Sequence, residues 1–377
     1  MNDPAIPRSI AVISTVHDTY DTRIFYKQLD FLRRHYRVRY LTPLRGPATE
    51  EWIVPLHKSC SKWGRLRTHL SLLRRLAGVK ADLYLLHDPE LLPLGIVLAW
   101  CGRKVVWDMH EDTYHDIRTK NYLPRPVRSL VAWIYWFFQA LAYRSCSGFV
   151  LAEDAYGKYF QGSRRTCVVH NYPLLDRLNK VGEIPRQANT LVYIGSVATN
   201  RGVYQLLEIV ARLRGRIPSV RLLLIGPFTD EALERSVRTR LRETGIEDQV
   251  EIRGPVKNLE AYPLVAQCAI GLALLLPEPN FTQSLPTKMF EYMALGLPVV
   301  VSNFPLWADI VNQYDAGVAV DPRNVEAAAE AVHGLLADAH RYATVSRNAR
   351  AAAQRYSWET ESQTLQEFLR EILESCS

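Results

Sequence analysis

Gln283-Ser-Leu-Pro-Thr-Lys-Met-Phe-Glu-Tyr-Met-Ala-Leu-Gly-Leu-Pro298 sets the reading of this chain. Pro286 suits the first turn of a helix, where a missing N–H costs nothing. Gly296 suits the stop, and Pro298 follows it. An apolar run, Ala269–Leu274, precedes this helix, and another, Pro298–Val301, follows it. Strand, loop, helix and strand in succession make one α/β unit. The free N–H groups and positive dipole end of the helix form a site for phosphate. Thr287 adds a hydroxyl there and Lys288 a charge. Glu291 lies about one turn further in, where a carboxylate suits the two hydroxyls of a ribose. The plainer alternative is a capped surface helix.

The same rhythm extends in both directions. Candidate strands in the second half are Thr190–Ile194, Arg221–Ile225, Val250–Ile252, Ala269–Leu274, Pro298–Val301 and Ala316–Val320. Helical patterns separate them at Val203–Arg214, Asp230–Thr244, Leu259–Ala266 and Lys288–Leu295. The first half offers strands at Ser9–Val16, Arg37–Leu41, Leu83–His87, Lys104–Trp107, Gly148–Leu151 and Thr166–Val169. Helical stretches such as Phe25–Arg34 and Arg65–Leu76 lie between several of them. Such alternation predicts parallel sheets with crossover helices. The polar segment Asp176–Asn189 reads as a linker. Two Rossmann-like, doubly wound α/β domains follow, 1–180 and 190–357, with a closing helical region at 358–377. Two such domains imply a cleft between them, with ligands beyond the carboxyl ends of the strands.

Composition narrows the class. The 377 residues are 48% hydrophobic and 23% charged, which argues against long disorder or a disulfide scaffold. Cysteines at 60, 101, 146, 167, 268 and 376 are too scattered for a zinc knuckle or a Cys-x-x-Cys redox site. Met1–Pro7 is polar and opens no signal peptide, and no apolar run is long enough to span a bilayer. A cytoplasmic protein is expected. The net charge of +7 is uneven. Residues 1–185 hold 27 Lys and Arg against 17 Asp and Glu, whereas residues 186–377 hold 19 against 22. The first half should therefore meet an anionic partner.

Further candidates sit at strand ends. Gly195-Ser-Val-Ala-Thr-Asn-Arg-Gly202 is a strand-to-helix turn where Gly195 allows close approach and Arg201 offers a guanidinium to a diphosphate. Trp107-Asp-Met-His-Glu-Asp-Thr113 puts His110 at a strand's carboxyl end, and His87-Asp88-Pro89-Glu90 ends the preceding strand the same way. No strict Asp-x-Asp occurs, which argues against a metal-held diphosphate. Lys62–Arg75 is basic and amphipathic, and Leu130–Ala142 is apolar and aromatic between Arg125, Arg128 and Arg144. The first reads as a solvated face and the second as a buried core helix, or both as a surface for anionic lipid. No nucleic-acid reader module accompanies the charge.

The chain resembles the retaining nucleotide-sugar glycosyltransferases of family 4, which have the GT-B fold. The resemblance is carried by Tyr193-Ile-Gly-Ser with Arg201-Gly202, Leu223-Leu-Ile-Gly226, Val250-Glu-Ile-Arg-Gly-Pro255, the stretch from Pro286 to Val300, and Tyr356-Ser-Trp-Glu359. In the first half Asp21-Thr-Arg-Ile-Phe25, His87-Asp-Pro-Glu-Leu-Leu92, Asp108-Met-His-Glu-Asp112 and Asn171-Tyr-Pro173 also look like that family.

The resemblance implies the following roles. The family's pair of glutamates falls on Gln283 and Glu291, the first reading the transferred sugar and the second binding ribose. Backbone N–H groups of Thr287 and Lys288 hold the diphosphate. The family's Arg and Lys on the earlier turn fall on Ser196 and Arg201, beside Gly195. His110 touches the donor sugar, and Gly254, Pro255 and Val256 line the base pocket. Catalysis would rest on His110, Arg201 and Lys288. The last helix crosses back onto the first domain. Three positions depart from the family: Gln283, Ser196, and Thr15-Val-His-Asp18 in place of a glycine pair, where Arg23 would supply a cation near the diphosphate. The expected reaction moves a sugar from a UDP- or GDP-sugar to a glycan or lipid-linked acceptor of surface polysaccharide, with no metal or other cofactor. The competing readings are a non-hydrolysing UDP-sugar epimerase and an inactive nucleotide-sugar-binding scaffold.

Overall fold

A computed structural model describes residues 8–375 except 45, 47, 49, 59–61, 120–123, 161–164 and 183. Met1–Pro7, Cys60 and Cys376, on which readings were made above, lie outside the described residues. Cys101, Cys146, Cys167 and Cys268 are free thiols. The chain divides into two compact units, Met1–Asn171 with Thr360–Ser377, and Tyr172–Glu359.

The first unit holds seven parallel strands: β1 (Ser9–Ile13), β2 (Arg37–Leu44), β3 (Ile53–His57), β4 (Leu83–Leu86), β5 (Lys104–Met109), β6 (Gly148–Leu151) and β7 (Thr166–Val168). Their order is β3-β2-β1-β4-β5-β6-β7. Every residue of β4 and β6 is buried, as expected of parallel strands covered on both faces. β3 was not foreseen. It carries Pro55, which cannot donate to a ladder, and it forms the sheet edge, where proline is tolerated. The first helix also starts earlier than expected. The Asp21 carboxylate accepts from the N–H groups of Arg23 and Ile24, so helical turns run from Thr22.

The second unit repeats the plan with β8 (Thr190–Ile194), β9 (Arg221–Ile225), β10 (Val250–Gly254), β11 (Ile270–Ala273), β12 (Val299–Ser302) and β13 (Gly317–Val320). All pairs are parallel, in the order β10-β9-β8-β11-β12-β13. Alternate strand residues feed two separate cores. Val192, Leu223 and Val299 face one, and Leu191, Leu222 and Val300 the other.

Two segments depart from the expected boundaries. Asp176–Asn189 is not wholly a linker, because Leu175–Asn179 is helical and Tyr172, Leu175 and Leu178 are buried in a core of the second unit. The final helix, Trp358–Glu374, passes its residues from Thr360 onward to the first unit. There Lys104 Nζ donates to Leu373 O at 2.9 Å, and Gly148 lies under Phe368 and Ile372. An added Cβ at Gly148 would meet those two side chains at 2.7 and 2.6 Å.

Candidate functional site

In the second sheet the strand order reverses between β8 and β11, the place where open α/β sheets bind ligands. Residues from both strand ends converge there. β8 ends in Gly195, whose φ is +124°, and the following turn brings Arg201 back. Beyond β11 the chain reaches helix Thr287–Ala294, with Lys288 in its first turn. Tyr292 of that helix joins the two strands, its hydroxyl accepting from Ile194 N–H at 2.8 Å.

Lys288 is the unusual member. Its side chain is buried, its Nζ has no hydrogen-bond partner, and it lies 3.8 Å from the centre of the Tyr193 ring. A Cβ placed on Gly195 would stand 3.1 Å from that Nζ and 3.7 Å from a guanidinium nitrogen of Arg201. Two cations therefore crowd over one glycine, and the left-handed φ also excludes a side chain there. Burial, then the charge of Arg201, push the Lys288 ammonium well below its usual range, with Glu291 pulling the other way. A buried Nζ without a hydrogen-bond partner, beside a guanidinium and at a helix N-terminus, has the chemistry to receive an anion.

The other expected residues surround this point at different depths. Glu291 accepts from the Tyr262 hydroxyl at 3.0 Å. Burial, then that carboxylate, raise the Tyr262 phenol far above its usual range. Thr287 opens the helix, and Gln283 is exposed at the end of the short helix Pro279–Thr282. The Ser196 carbonyl accepts from the Tyr193 hydroxyl at 2.8 Å. Gly254 and Pro255 line a neighbouring cavity of about 480 Å³ at the ends of β9 and β10, while Val256 packs partly buried on the core.

The first unit has its own reversal, between β1 and β4, and a dense polar cluster at the strand ends there. Asp108, fully buried, takes Arg23 Nε at 3.2 Å and a second guanidinium nitrogen at 2.9 Å, and accepts from Gln28 as well. His110 Nε2 lies 3.0 Å from the same carboxylate and 3.0 Å from His87 Nδ1. Burial works against the Asp108 anion, but Arg23 and then His110 overcome it and hold the group well below the usual carboxylate range. Burial depresses the His110 imidazolium in spite of Asp108.

This geometry corrects one expectation. Arg23 is a buried partner of Asp108, committed in a two-point ion pair, and is no free cation for a diphosphate. The donor atoms of His87, Asp108 and His110 lie within 4.8 Å of one another, close enough for a metal. The Arg23 guanidinium already faces that carboxylate, however, so a dication would sit beside a fixed positive charge.

One pair escaped the reading of site residues. His17 Nδ1 lies 2.6 Å from Asp88 Oδ1, and Asp88 also accepts from the N–H groups of Thr15 and Val16. The available signal was His17 itself, standing where the resembling family carries glycine.

Residues 188–338 match the family model described as glycosyl transferases group 1. A D-inositol 3-phosphate glycosyltransferase of Corynebacterium urealyticum is 28% identical over 193 residues, covering 50% of this chain and 44% of the relative. A GDP-mannose:cellobiosyl-diphosphopolyprenol alpha-mannosyltransferase of Xanthomonas campestris is 26% identical over 170 residues, covering 45% and 43%. The chain thus spans less than half the length of these curated relatives. Among solved structures, Anabaena Alr3699/HepE in complex with UDP and glucose superposes with a TM-score of 0.71 at 18% identity, covering 97% of this chain and 100% of the other. The fold is thus that of the GT-B glycosyltransferases, two Rossmann-like α/β domains.

Proposed function

We propose that this chain is a retaining glycosyltransferase. It moves a sugar from a UDP- or GDP-sugar to a glycan or lipid-linked acceptor in surface polysaccharide synthesis. The carrying observation is the buried, unpartnered ammonium of Lys288 beside Arg201 at the turn of Gly195. A diphosphate placed there receives two positive charges and the helix N–H groups of Thr287 and Lys288. The Xanthomonas relative's name includes a GDP-mannose donor and a diphosphopolyprenol, and the Anabaena structure holds UDP, which supports the same reading.

In this proposal the reaction is a front-face displacement. The diphosphate departs as the acceptor hydroxyl arrives on the same side, and Lys288, Arg201 and the helix amides stabilise the leaving charge. These fixed cations take the place that a metal would otherwise fill. Glu291 holds the ribose, Gln283 the transferred sugar, and Gly254, Pro255 and Val256 the base.

The reaction is placed in the cytoplasm, at the inner face of the membrane. Among the described residues no helix is long and apolar enough to cross a membrane. Helix Arg125–Ser145 buries Ala132, Tyr135, Gln139 and Ala142, yet exposes Leu130, Trp133, Ile134, Trp136 and Phe137. It is therefore no simple core helix. Aromatic side chains beside Arg125, Arg128 and Arg144 suit an anionic lipid surface.

The test is thermal stability with UDP, GDP, dTDP, ADP and CMP, for wild type and for Lys288→Ala, Arg201→Ala and Glu291→Ala. A nucleotide at about 100 times its dissociation constant adds ~2.7 kcal/mol, a shift of a few degrees for a chain this size. One nucleotide should stabilise the wild type and none of the variants. Turnover by Arg201→Ala should then fall more than about tenfold. Wild type stabilised by a nucleotide but without turnover of any donor would leave the scaffold reading, wild type unmoved by every nucleotide would defeat the nucleotide-sugar reading, and conversion of a UDP-sugar without any acceptor would leave the epimerase.

A further inference from the structure

The second unit gathers cations at a further place, the opposite end of the helix that carries Lys288. Helix Thr287–Ala294 has Lys288 in its first turn and runs out at Leu295 and Gly296. Around that far end lies a cavity of about 460 Å³. Its walls come from the short helix Leu175–Asn179 and the turn after it, from Ala266, and from helix Ala339–Ala353. Three arginines line it, Arg186, Arg347 and Arg350. All of these residues belong to the second unit. The chain around Ala266 leads into β11 and Gly296 leads into β12, so the cavity lies toward the amino ends of those strands.

The end of the helix organises the arginines. Arg186 donates from one guanidinium nitrogen to Leu295 O and Gly296 O, both at 2.9 Å, and from the other to Cys268 O at 2.9 Å. Arg350 reaches Leu295 O at 3.4 Å, and the Ser346 hydroxyl donates to Gly296 O at 2.6 Å. A Cβ on Gly296, whose φ is +73°, would stand 3.1 Å from Arg350 Nε and 3.2 Å from Arg186 Nη2. Two guanidinium groups therefore meet over one glycine. A helix end offers them roughly half a negative charge, which does not balance two positive ones. Arg347 stands one turn from Arg350 on the same face of its helix and donates to the Thr344 hydroxyl at 3.3 Å. Among the described residues that line the cavity none is acidic, so the three guanidinium charges meet no carboxylate there. Glu183, beside two lining residues in sequence, lies outside the described residues.

Capping accounts for Arg186 and Ser346, which satisfy the last carbonyls of the helix. It does not account for Arg347, which bonds neither carbonyl, or for the cavity. Guanidinium groups bind phosphate through paired N–H···O bonds of fixed geometry. The remaining wall is apolar, with Leu178, Ile184, Ala266 and Ala294. The volume is that of a small-ligand site and exceeds what a bare oxyanion fills. Charge on one side and hydrocarbon on the other describe an organic phosphate.

We propose that this cavity binds a small phosphate monoester, its phosphate held by Arg347 and Arg350 with Arg186 beside them, and its organic body against the apolar wall. The site is separate from the turn of Gly195, and the inference does not rest on the sugar-transfer reading.

The experiment titrates glycerol 3-phosphate, glucose 6-phosphate and phenyl phosphate into the protein and follows the thermal midpoint, with sulfate at equal ionic strength as the control for any oxyanion. Each variant is read against its own unliganded midpoint. At least one ester should raise the wild-type midpoint by a few degrees near saturation, and sulfate should fall well short of it. Arg347→Gln should weaken that ester at least about tenfold, the loss of one charge-assisted hydrogen bond. Arg350→Gln should weaken it as well, but also loosens the helix end. Arg347 is exposed and holds no carbonyl of that end, so its variant keeps the fold and isolates the ligand contact. Lys288→Met should bind the ester as the wild type does. Absence of a shift with every ester would overturn the proposal, as would a sulfate shift equal to the best ester's. Arg347→Gln binding as tightly as wild type would also overturn it and leave the arginines as a helix cap. An ester shift lost in Lys288→Met but kept in Arg347→Gln would move the anion to the turn of Gly195 and overturn it too. Nucleotides that fail to stabilise the wild type would defeat the transfer reading alone, with the ester titrations unaffected.

Discussion

Lys288 holds its Nζ where an ammonium is disfavoured. Burial and Arg201 depress its ammonium, and a diphosphate bound there, as proposed above, would raise it again. Between the free and bound values, binding takes up a proton, so affinity should fall as pH rises through that window. Calorimetry of the stabilising nucleotide in buffers of different ionisation enthalpy should register this uptake, and Lys288→Met should abolish it. Lys288, Thr287 and Glu291 were legible in the sequence because one helical turn carries all three. Arg23 with Asp108 and His17 with Asp88 were not. Their partners stand 85 and 71 positions apart, and only the parallel pairing of β1, β4 and β5 brings them together. The sequence showed Asp88 and Asp108 near strand ends without showing that Arg23 would turn inward.

At the scale of elements, helix Arg125–Ser145 makes a separable prediction. Its exposed tryptophans touch little of the fold, so Trp133→Ser with Trp136→Ser should change stability by no more than about 0.5 kcal/mol. The same pair should release the protein from anionic vesicles at low salt in a flotation assay. Retention of the double variant on those vesicles would remove this helix from membrane contact. Composition alone left the segment divided between core and surface, because an apolar run does not say how many sides are covered. Twelve of thirteen strands were visible as apolar runs. Ile53–His57 was hidden by Pro55, the residue that also suits it to an edge.

At the scale of the whole molecule, acid should act on the two units unequally. The carboxylates held below their ordinary value of 3.8 are Asp18, Asp82, Asp88 and Asp108, all in the first unit. Asp176, Glu208, Asp230, Glu278, Asp309, Asp315 and Asp338 of the second unit show no resolved shift of this kind. A depressed carboxylate contributes stability that is present above its unfolded value and lost as pH falls through the folded one. The raised His17 and His170 act in the opposite sense, their contributions being intact in acid. Below about pH 4 the first unit should therefore loosen before the second. Pepsin cleavage with mass readout should find its early cuts in 8–171, and early cuts within 172–359 would refute the assignment. The doubling of one strand plan was legible because each half repeats the same alternation. The boundary at Tyr172 was not, since the polar composition of Asp176–Asn189 conceals the apolar side of a short helix.

The return of the last helix to the first unit also sets a schedule for biosynthesis. The surface over Gly148 that awaits Phe368 and Ile372 leaves the ribosome early, but its cover follows only after the whole second unit. With ~190 residues intervening and synthesis at about 5–20 residues per second, the nascent first unit waits roughly 10–40 s with that apolar face uncovered. The second unit, contiguous in sequence, has all of its own core residues before the last helix can cover that face. A released chain that stops just before Thr360 would thus carry a complete carboxyl-terminal half and an amino-terminal one without its cover.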